Sequence, residues 1–206
     1  MEIVIATRNE GKLQEIKELI KGLQVEVLSL KDIPEVPVVR EGGSSFRENA
    51  LMKAEVIASF TKKVSIADDS GLAVDFLKGE PGVYSARFAG EDANDGENNK
   101  ELLRRLEGVP ISKRGATFRC VIAVVTPEGK KDIAEGECRG IIQFEEKGEF
   151  GFGYDPLFFV PEYRRTFAEL SPEIKNKISH RAKAMEKLRV VLKEYLKTEK
   201  TSVEKG

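Results

Sequence analysis

Apolar positions along this chain recur with two periods, and the switches between them outline a series of strands and helices. Residues 2–7 (EIVIAT) are a short run rich in β-branched side chains and predict a buried strand. Residues 8–11 interrupt it, and a helix follows with Leu13, Ile16, Leu19 or Ile20, and Leu23 on one face. A second strand is expected over 25–28, then a loop or edge segment over 31–43 with two prolines and a glycine pair. Ser45 and Glu48 have the spacing of a capping box and start a second helix, which turns Phe46, Ala50, Ala54, Ile57 and Phe60 inward. Residues 64–67 predict another strand, ending at Asp68-Asp69-Ser70-Gly71. A helix is expected over 98–106, and 116–126 and 131–142 flank Pro127-Glu128-Gly129 as a long hairpin. Residues 151–156 form a glycine-containing loop, and 157–160 a strand. A last helix runs from Ser179 to about Tyr195, with Met185, Leu188, Val191 or Leu192, and Tyr195 on its core face.

Helix-linked strands early and a hairpin later predict an α/β fold: a mixed sheet flanked by helices, with two lobes around a cleft. The 206 residues are enough for one domain or two small lobes with a real core. We read residues 1–196 as one α/β domain of two lobes and 197–206 as a polar tail. One third of the residues are charged, mostly Lys, Arg and Glu, which hints at a heat-adapted source. The net charge is nevertheless only −1, which disfavours a chain built to coat a nucleic acid polymer or an anionic membrane. An anionic substrate must then be held by locally placed cations, which points to a small ligand. Cys120 and Cys138 are the only cysteines and His180 the only histidine, so a zinc site is not expected. The opening residues do not read as a signal peptide, and no apolar run approaches the ~20 residues that span a bilayer. A cytoplasmic protein is expected.

Candidate chemistry gathers at loops beside these elements. Thr7-Arg8-Asn9-Glu10-Gly11-Lys12 joins a strand to a helix, where free backbone amides and the positive helix end suit phosphate. It lacks the P-loop pattern, and a capped turn would look the same. Asp68 and Asp69 are adjacent carboxylates directly after a strand, and a divalent cation would offset their repulsion. A plain surface turn is the alternative. Glu41 is an ordinary loop acid unless it meets Asp69 in space. Lys53 falls inside the apolar stripe of its helix, between Phe46, Ile57 and Phe60, so it either snorkels out or points into a cleft. Phe152-Gly153-Tyr154-Asp155 sets aromatics among glycines, as a platform for a base or as packed core. Lys175, His180 and Arg181 collect polar donors around the start of the last helix, with Ser179 as its N-cap.

The order of six motifs is more specific than any one of them. TxNxxK (7–12), ENAxxKA (48–54), ADDSGL (67–72), PGxYSAR (81–87), FGYDPxF (152–158) and ISHR (178–181) together resemble the XTP/dITP diphosphatase family, the inosine triphosphate pyrophosphatases. The resemblance runs from about Ile3 to Leu192. It implies an elongated α/β fold with a central cleft, a homodimer, and hydrolysis of ITP, dITP and XTP to a monophosphate and pyrophosphate. It also implies that Glu41 and Asp69 hold Mg²⁺ and that Asp69 is the proton acceptor. Thr7 to Lys12, Ser70, Phe152 to Asp155, Lys175, His180 and Arg181 are implied to bind substrate, with Lys53 neutralising phosphates. One departure is visible: the family commonly has Thr and Gly where this chain has Glu149 and Phe150, which bears on loop mobility and base preference.

The chemistry of the residues agrees with that reading. Splitting a phosphoanhydride needs charge neutralisation and an aligned water more than a protein nucleophile. Asp69 or Asp68 would orient or deprotonate the water, and the sequence does not divide these roles between them. Lys175 and Arg181 can only donate, which favours a 6-keto purine over adenine. Two other readings stand beside it: a related nucleotide pyrophosphatase with another base preference, and a non-catalytic nucleotide sensor.

Overall fold

The computed structural model describes residues 1–203, with side chains as far as Leu196. Seven strands form one mixed sheet in the order β2-β1-β3-β4-β5-β6-β7. They are β1 (Glu2–Ile5), β2 (Glu26–Ser29), β3 (Val64–Val74), β4 (Gly115–Val125), β5 (Lys131–Ile142), β6 (Phe158–Val160) and β7 (Arg165–Thr166). β1 pairs in parallel with β2 and β3, while β6 pairs antiparallel with β5 and β7. The helices are α1 (Glu10–Ile20), α2 (Phe46–Thr61), α3 (Asp95–Arg105), α4 (Pro172–Ile178) and α5 (His180–Val203). No helix among the described residues is long and apolar enough to cross a membrane.

The chain divides into two compact units. Unit 1 comprises Met1–Asp69, Cys120–Gly136 and the residues from Arg181 on; unit 2 comprises Ser70–Arg119 and Glu137–His180.

In unit 1 the two-residue period of the strands sorts side chains to two cores. Ile3 and Ile5 of β1, Val64 and Ile66 of β3, and Cys120, Ile122 and Val124 of β4 pack with Leu13, Ile16 and Ile20 of α1 and with Met185, Leu188 and Leu192 of α5. Their neighbours Val4, Ala6, Ala67, Val121, Ala123 and Val125 face the other way and pack with Ala50, Ala54, Ile57 and Ala58 of α2. Small residues on α2 let that helix lie close to the sheet. In unit 2, Leu72 and Val74 join Leu102, Leu106, Phe118, Tyr154, Phe158 and Phe167 in one core rich in aromatic rings.

Local signals set the helix starts. Asn9 caps α1 by accepting the Lys12 amide, Ser45 caps α2 by accepting the Glu48 amide, and Asn94 and Glu97 make a reciprocal capping box on α3. At α2 the expected box is only half made, because the Glu48 carboxylate takes the amide and hydroxyl of Ser44 instead.

Beyond that half-made box, the structure departs from the sequence reading in four places. β3 does not stop at Ala67 but continues to Val74, because neighbouring cations balance the charges of Asp68 and Asp69 and the alternation of buried positions resumes at Leu72 and Val74. Phe60 is exposed, not inward: the buried face of α2 is centred on Ala50, Ala54, Ile57 and Ala58. A short helix, α4, precedes the last one, started by Pro172 at its first position and ended at Ser179. Helix α5 continues through residues read as tail; the side chains from 197 on, and residues 204–206 altogether, lie outside the described residues.

Candidate functional site

Two clusters of polar side chains stand out, one in each unit. The first is built around the continuation of β3. Because the strand runs straight through Asp68-Asp69, its alternation sends the two carboxylates to opposite faces. Asp68 follows Val64 and Ile66 toward α1 and α5, and Asp69 follows Ala67 toward α2.

Asp68 is fully buried. Its Oδ2 accepts from Arg181 Nη2 at 2.9 Å and Nε at 3.2 Å, and Lys12 Nζ lies 3.5 Å away. Arg181, 1% exposed, also reaches Glu15 of α1 in a second ion pair. Burial works to raise the Asp68 pKa, but Lys12, Arg181 and Lys53 outweigh it and hold the carboxyl well below the usual range. Cys120 stands beside Asp68, and burial together with that negative charge pushes its thiol up to about 12. It is an inert core thiol.

On the other face, Asp69 Oδ2 accepts from Asn49 Nδ2 at 2.9 Å, and Lys53 Nζ stands 3.7 Å from Asp69 Oδ1. Lys53 also donates to Glu41 Oε1 at 2.5 Å, so one ammonium joins both carboxylates. Burial and the nearby Glu41 raise the Asp69 pKa against the opposing pull of Lys53, Lys12 and Asn49. Lys53 itself is shifted upward: burial opposes its charge, but Asp69, Asp68 and Glu41 outweigh that cost. The loop carrying Glu41 is anchored through Gly43, whose amide donates to Asn49 Oδ1 at 2.8 Å. A Cβ at Gly43 would fall 2.6 Å from that same oxygen, so only glycine permits the approach.

The strand-to-helix segment lies at the start of α1. Thr7 Oγ1 accepts from the Asn9 amide at 3.2 Å, and Asn9 Oδ1 from the Lys12 amide at 2.9 Å. Arg8, Asn9 and Glu10 are exposed, Gly11 is half-buried, and Glu10 is paired with Lys31. Of this segment, Lys12 is the residue whose side chain joins the carboxylate cluster.

The second cluster belongs to unit 2. Lys175 of α4 is buried, paired with Asp155, and poised 5.0 Å from the centre of the Phe152 ring and 5.6 Å from that of Phe167. Asp155 Oδ2 also accepts the Phe152 amide at 3.0 Å, closing the loop on itself. Gly151 has φ +77, and a Cβ there would land on the Asp155 carboxylate. The Tyr154 hydroxyl donates to the Ser85 carbonyl at 2.8 Å, and burial pushes its pKa up. His180 is buried and stacks on Phe118 with centroids 4.7 Å apart. Ser70 is half-buried and opens this unit's share of β3.

In unit 1 the structure therefore joins Lys12, Glu41, Lys53, Asp68, Asp69 and Arg181; in unit 2 it joins Phe152, Asp155 and Lys175, with Tyr154 and His180 packed in the same unit. Sequence reasoning missed Glu15, gave Ser85 no role beyond its place in the PGxYSAR motif, and placed Asn49 only at the edge of a helical stripe. The ENA run carried a signal for Asn49, one turn before Lys53 on the same face. Nothing in the sequence singled out Glu15, because its partner Arg181 is 166 residues away.

Comparison with known proteins places this architecture. The model of the Ham1 family matches residues 3–191. The dITP/XTP pyrophosphatase of Desulforamulus reducens is 55% identical over 93% of this chain and 96% of its own length, and that of Geobacillus kaustophilus is 54% identical over 91% and 92%. Among solved structures, a HAM1 protein from Coxiella burnetii superposes with a TM-score of 0.85 at 43% identity, covering 94% of this chain and 99% of that one. The Ham1 protein of Staphylococcus aureus gives 0.84 at 42%, covering 95% and 100%. With the match spanning almost the whole chain and taking in both clusters, this protein belongs to the Ham1 family.

Proposed function

We infer that this protein hydrolyses the non-standard purine nucleoside triphosphates dITP, XTP and ITP, releasing a nucleoside monophosphate and pyrophosphate. The observation that carries the reading is the pair of carboxylates Glu41 and Asp69 joined by one buried ammonium, with Asp68 and its cations on the opposite face of the same strand. The activity named for the D. reducens and G. kaustophilus relatives supports it. In the reaction, a water oxygen attacks the α-phosphorus, the α–β phosphoanhydride bond breaks, and the leaving pyrophosphate departs with the bond's electrons. The water's proton goes to a carboxylate.

The two aspartates divide the work. Asp69 lies with Glu41 and Lys53 on the face proposed to receive the triphosphate, and we assign it the proton. Asp68 is enclosed by Arg181 and Lys12 and held ionised, so it serves to fix those cations. Lys12 and Lys53 offset phosphate charge in a partly dry setting, where such charges count for more than in water. The first turn of α1 offers backbone amides to the same phosphates.

Magnesium is the proposed cofactor, with Glu41 and Asp69 as its protein ligands. Such a sparse donor set suits an ion that takes one or two carboxylates and completes its shell with water and phosphate oxygens. Among the described residues, no group of three or more His, Cys, Asp and Glu forms a ready-made cage for another metal. When bound, the ion supplies further neutralisation of the triphosphate.

Base selection falls to unit 2. The Phe152 ring offers a stacking face, and Lys175 is a buried donor beside it. A 6-keto oxygen accepts from that ammonium, whereas the 6-amino group of adenine would meet it donor to donor. A homodimer and a cytoplasmic location complete the proposal, and sedimentation checks the first.

The deciding experiment is pyrophosphate release from ITP, dITP, XTP, ATP, GTP and dTTP, with Mg²⁺ and with EDTA. Magnesium-dependent pyrophosphate from the first three, with little from the rest, is expected. Release of orthophosphate, or tight nucleotide binding with no hydrolysis, would overturn the proposal.

A further inference from the structure

Asp95 and Asn99 stand one turn apart on α3 and hold opposite ends of a single residue. Asp95 Oδ2 accepts the Gly153 amide at 2.7 Å, and Asn99 Nδ2 donates to the Gly153 carbonyl at 3.2 Å. Gly153 lies between Phe152 and Tyr154, with φ +61 in the left-handed region. Asn98, between them on the helix, donates to the Ala86 carbonyl at 3.1 Å and accepts the Ala89 amide at 2.9 Å. The Tyr154 hydroxyl in turn donates to the Ser85 carbonyl. One helix thus grips the main chain of two segments, 85–89 and 152–155, and a phenol ties those segments together.

Packing alone does not account for this arrangement. Asn98 and Asn99 are buried, and Asn99 Oδ1 has no hydrogen-bond partner among the described residues. A buried acceptor without a partner costs stability, which an apolar side chain of similar size at this position would avoid. What such a side chain could not do is hold the Gly153 carbonyl. That hold adds to the Asp155 bond on the Phe152 amide, at a residue whose missing Cβ and positive φ restrain its neighbours little.

We infer that Asp95 and Asn99 are positioning residues, which fix Gly153 and thereby set the Phe152 ring for the purine base. The inference rests on the reading of Phe152 as the base platform. Both side chains hold the loop that carries Phe152 and neither is assigned to the phosphate chemistry, so their loss falls on substrate binding and base discrimination, with turnover largely kept.

The test is steady-state kinetics of the full chain with ITP and ATP for the wild type, N99A, D95A, F152A, the doubles N99A/F152A and D95A/F152A, and K100A as a control on an exposed position of the same helix. N99A and D95A should each raise the KM for ITP about tenfold, the effect of a lost hydrogen bond of ordinary strength, with kcat changed less than about threefold. In the F152A background the same substitutions should add little, since residues that act through one another are non-additive. A general structural defect would instead multiply in full in that background and would overturn the inference, as would an unchanged KM in N99A and D95A. If N99A does not fold, the exposed Asp95 carries the cycle alone. An F152A enzyme with wild-type KM removes the platform and the inference together. A wild type that does not hydrolyse ITP sinks the functional reading itself, and this inference with it; an active wild type with fully additive effects sinks only the inference.

Discussion

The two clusters handle charge in opposite ways. In unit 1, three cations and four carboxylates share a small volume, and each charged group has a partner of opposite sign: Lys12 and Arg181 with Asp68, Arg181 with Glu15, Lys53 with Asp69 and Glu41. All but Glu41, which sits on a loop anchored to Asn49, project from regular elements, so their geometry is set by the pitch of α1, α2 and α5 and the alternation of β3. In unit 2, a single buried ion pair, Lys175 with Asp155, sits among rings on a loop closed by glycines. The first arrangement suits a highly charged group whose charge shifts during reaction. The second suits a flat heterocycle with one hydrogen-bonding edge, for which stacking area and one well-aimed donor suffice. On the proposed function, charge neutralisation rests mainly on helices and a strand and base recognition on a closed loop, so substitutions in the two units should fail differently.

The largest effect belongs to the carboxylate of the α2 face. D69N should lower kcat by about two to four orders of magnitude, the span typical for a lost general base, while the melting temperature stays near that of the wild type. Near-full activity in D69N would erase the distinction between the two aspartates. Next comes the opposite face: R181M leaves Asp68 and Glu15 short of their main partner and should cost about 3–5 kcal/mol of stability. That corresponds to a fall of roughly 6–20 °C in melting temperature for a chain of this size. A stable R181M would show that the buried network is not structural. In unit 2, K175A should change the ratio of ITP to ATP hydrolysis by about tenfold or more through KM. An unchanged ratio would move base selection away from that loop.

The smallest effect is a pH dependence at Asp68. The Asp68 pKa is lower in the folded protein than in the unfolded chain. Its contribution to stability is therefore complete above the ordinary carboxylate value of about 4, and it is lost as pH falls toward the lower folded value. Chemical denaturation at stepped pH should show the wild type losing stability more steeply below about pH 4 than D68N, which starts lower but lacks this group. Parallel acid limbs in the two proteins would count against the assignment.

Much of this was legible in the chain itself. The apolar runs of β1 and β4, the turn that leads into β5 and the caps of α1 and α2 are local signals, and local physics is what a sequence displays. Lys53, inside an apolar helical face, reads as a cation that either snorkels out or points into a cleft, and the structure buries it. The ring-and-glycine loop at 151–156 was read as a base platform or as packed core, and the structure gives each aromatic its own place: Tyr154 is buried in the core while Phe152 is half-buried beside Lys175. The misjudged end of β3 shows where such reading stops. Two adjacent aspartates look like the end of a strand until one knows that Lys12, Lys53 and Arg181 meet them, and Arg181 lies 113 residues from Asp68.

By itself, then, the sequence determined the α/β pattern, the residue types available for phosphate chemistry, and the motif order that marks the family. Only the tertiary structure decided which face of the strand each aspartate takes and which cations meet it. Once long-range cations allow β3 to continue through the acidic pair, a period of two residues sends Asp68 to the buried network of α1 and α5, and Asp69 to Lys53 and Glu41. Likewise only the fold brings Asp95 and Asn99 to Gly153, more than fifty residues further along the chain. Contacts of that reach depend on loop closure and packing, which leave no mark in any local window of residues.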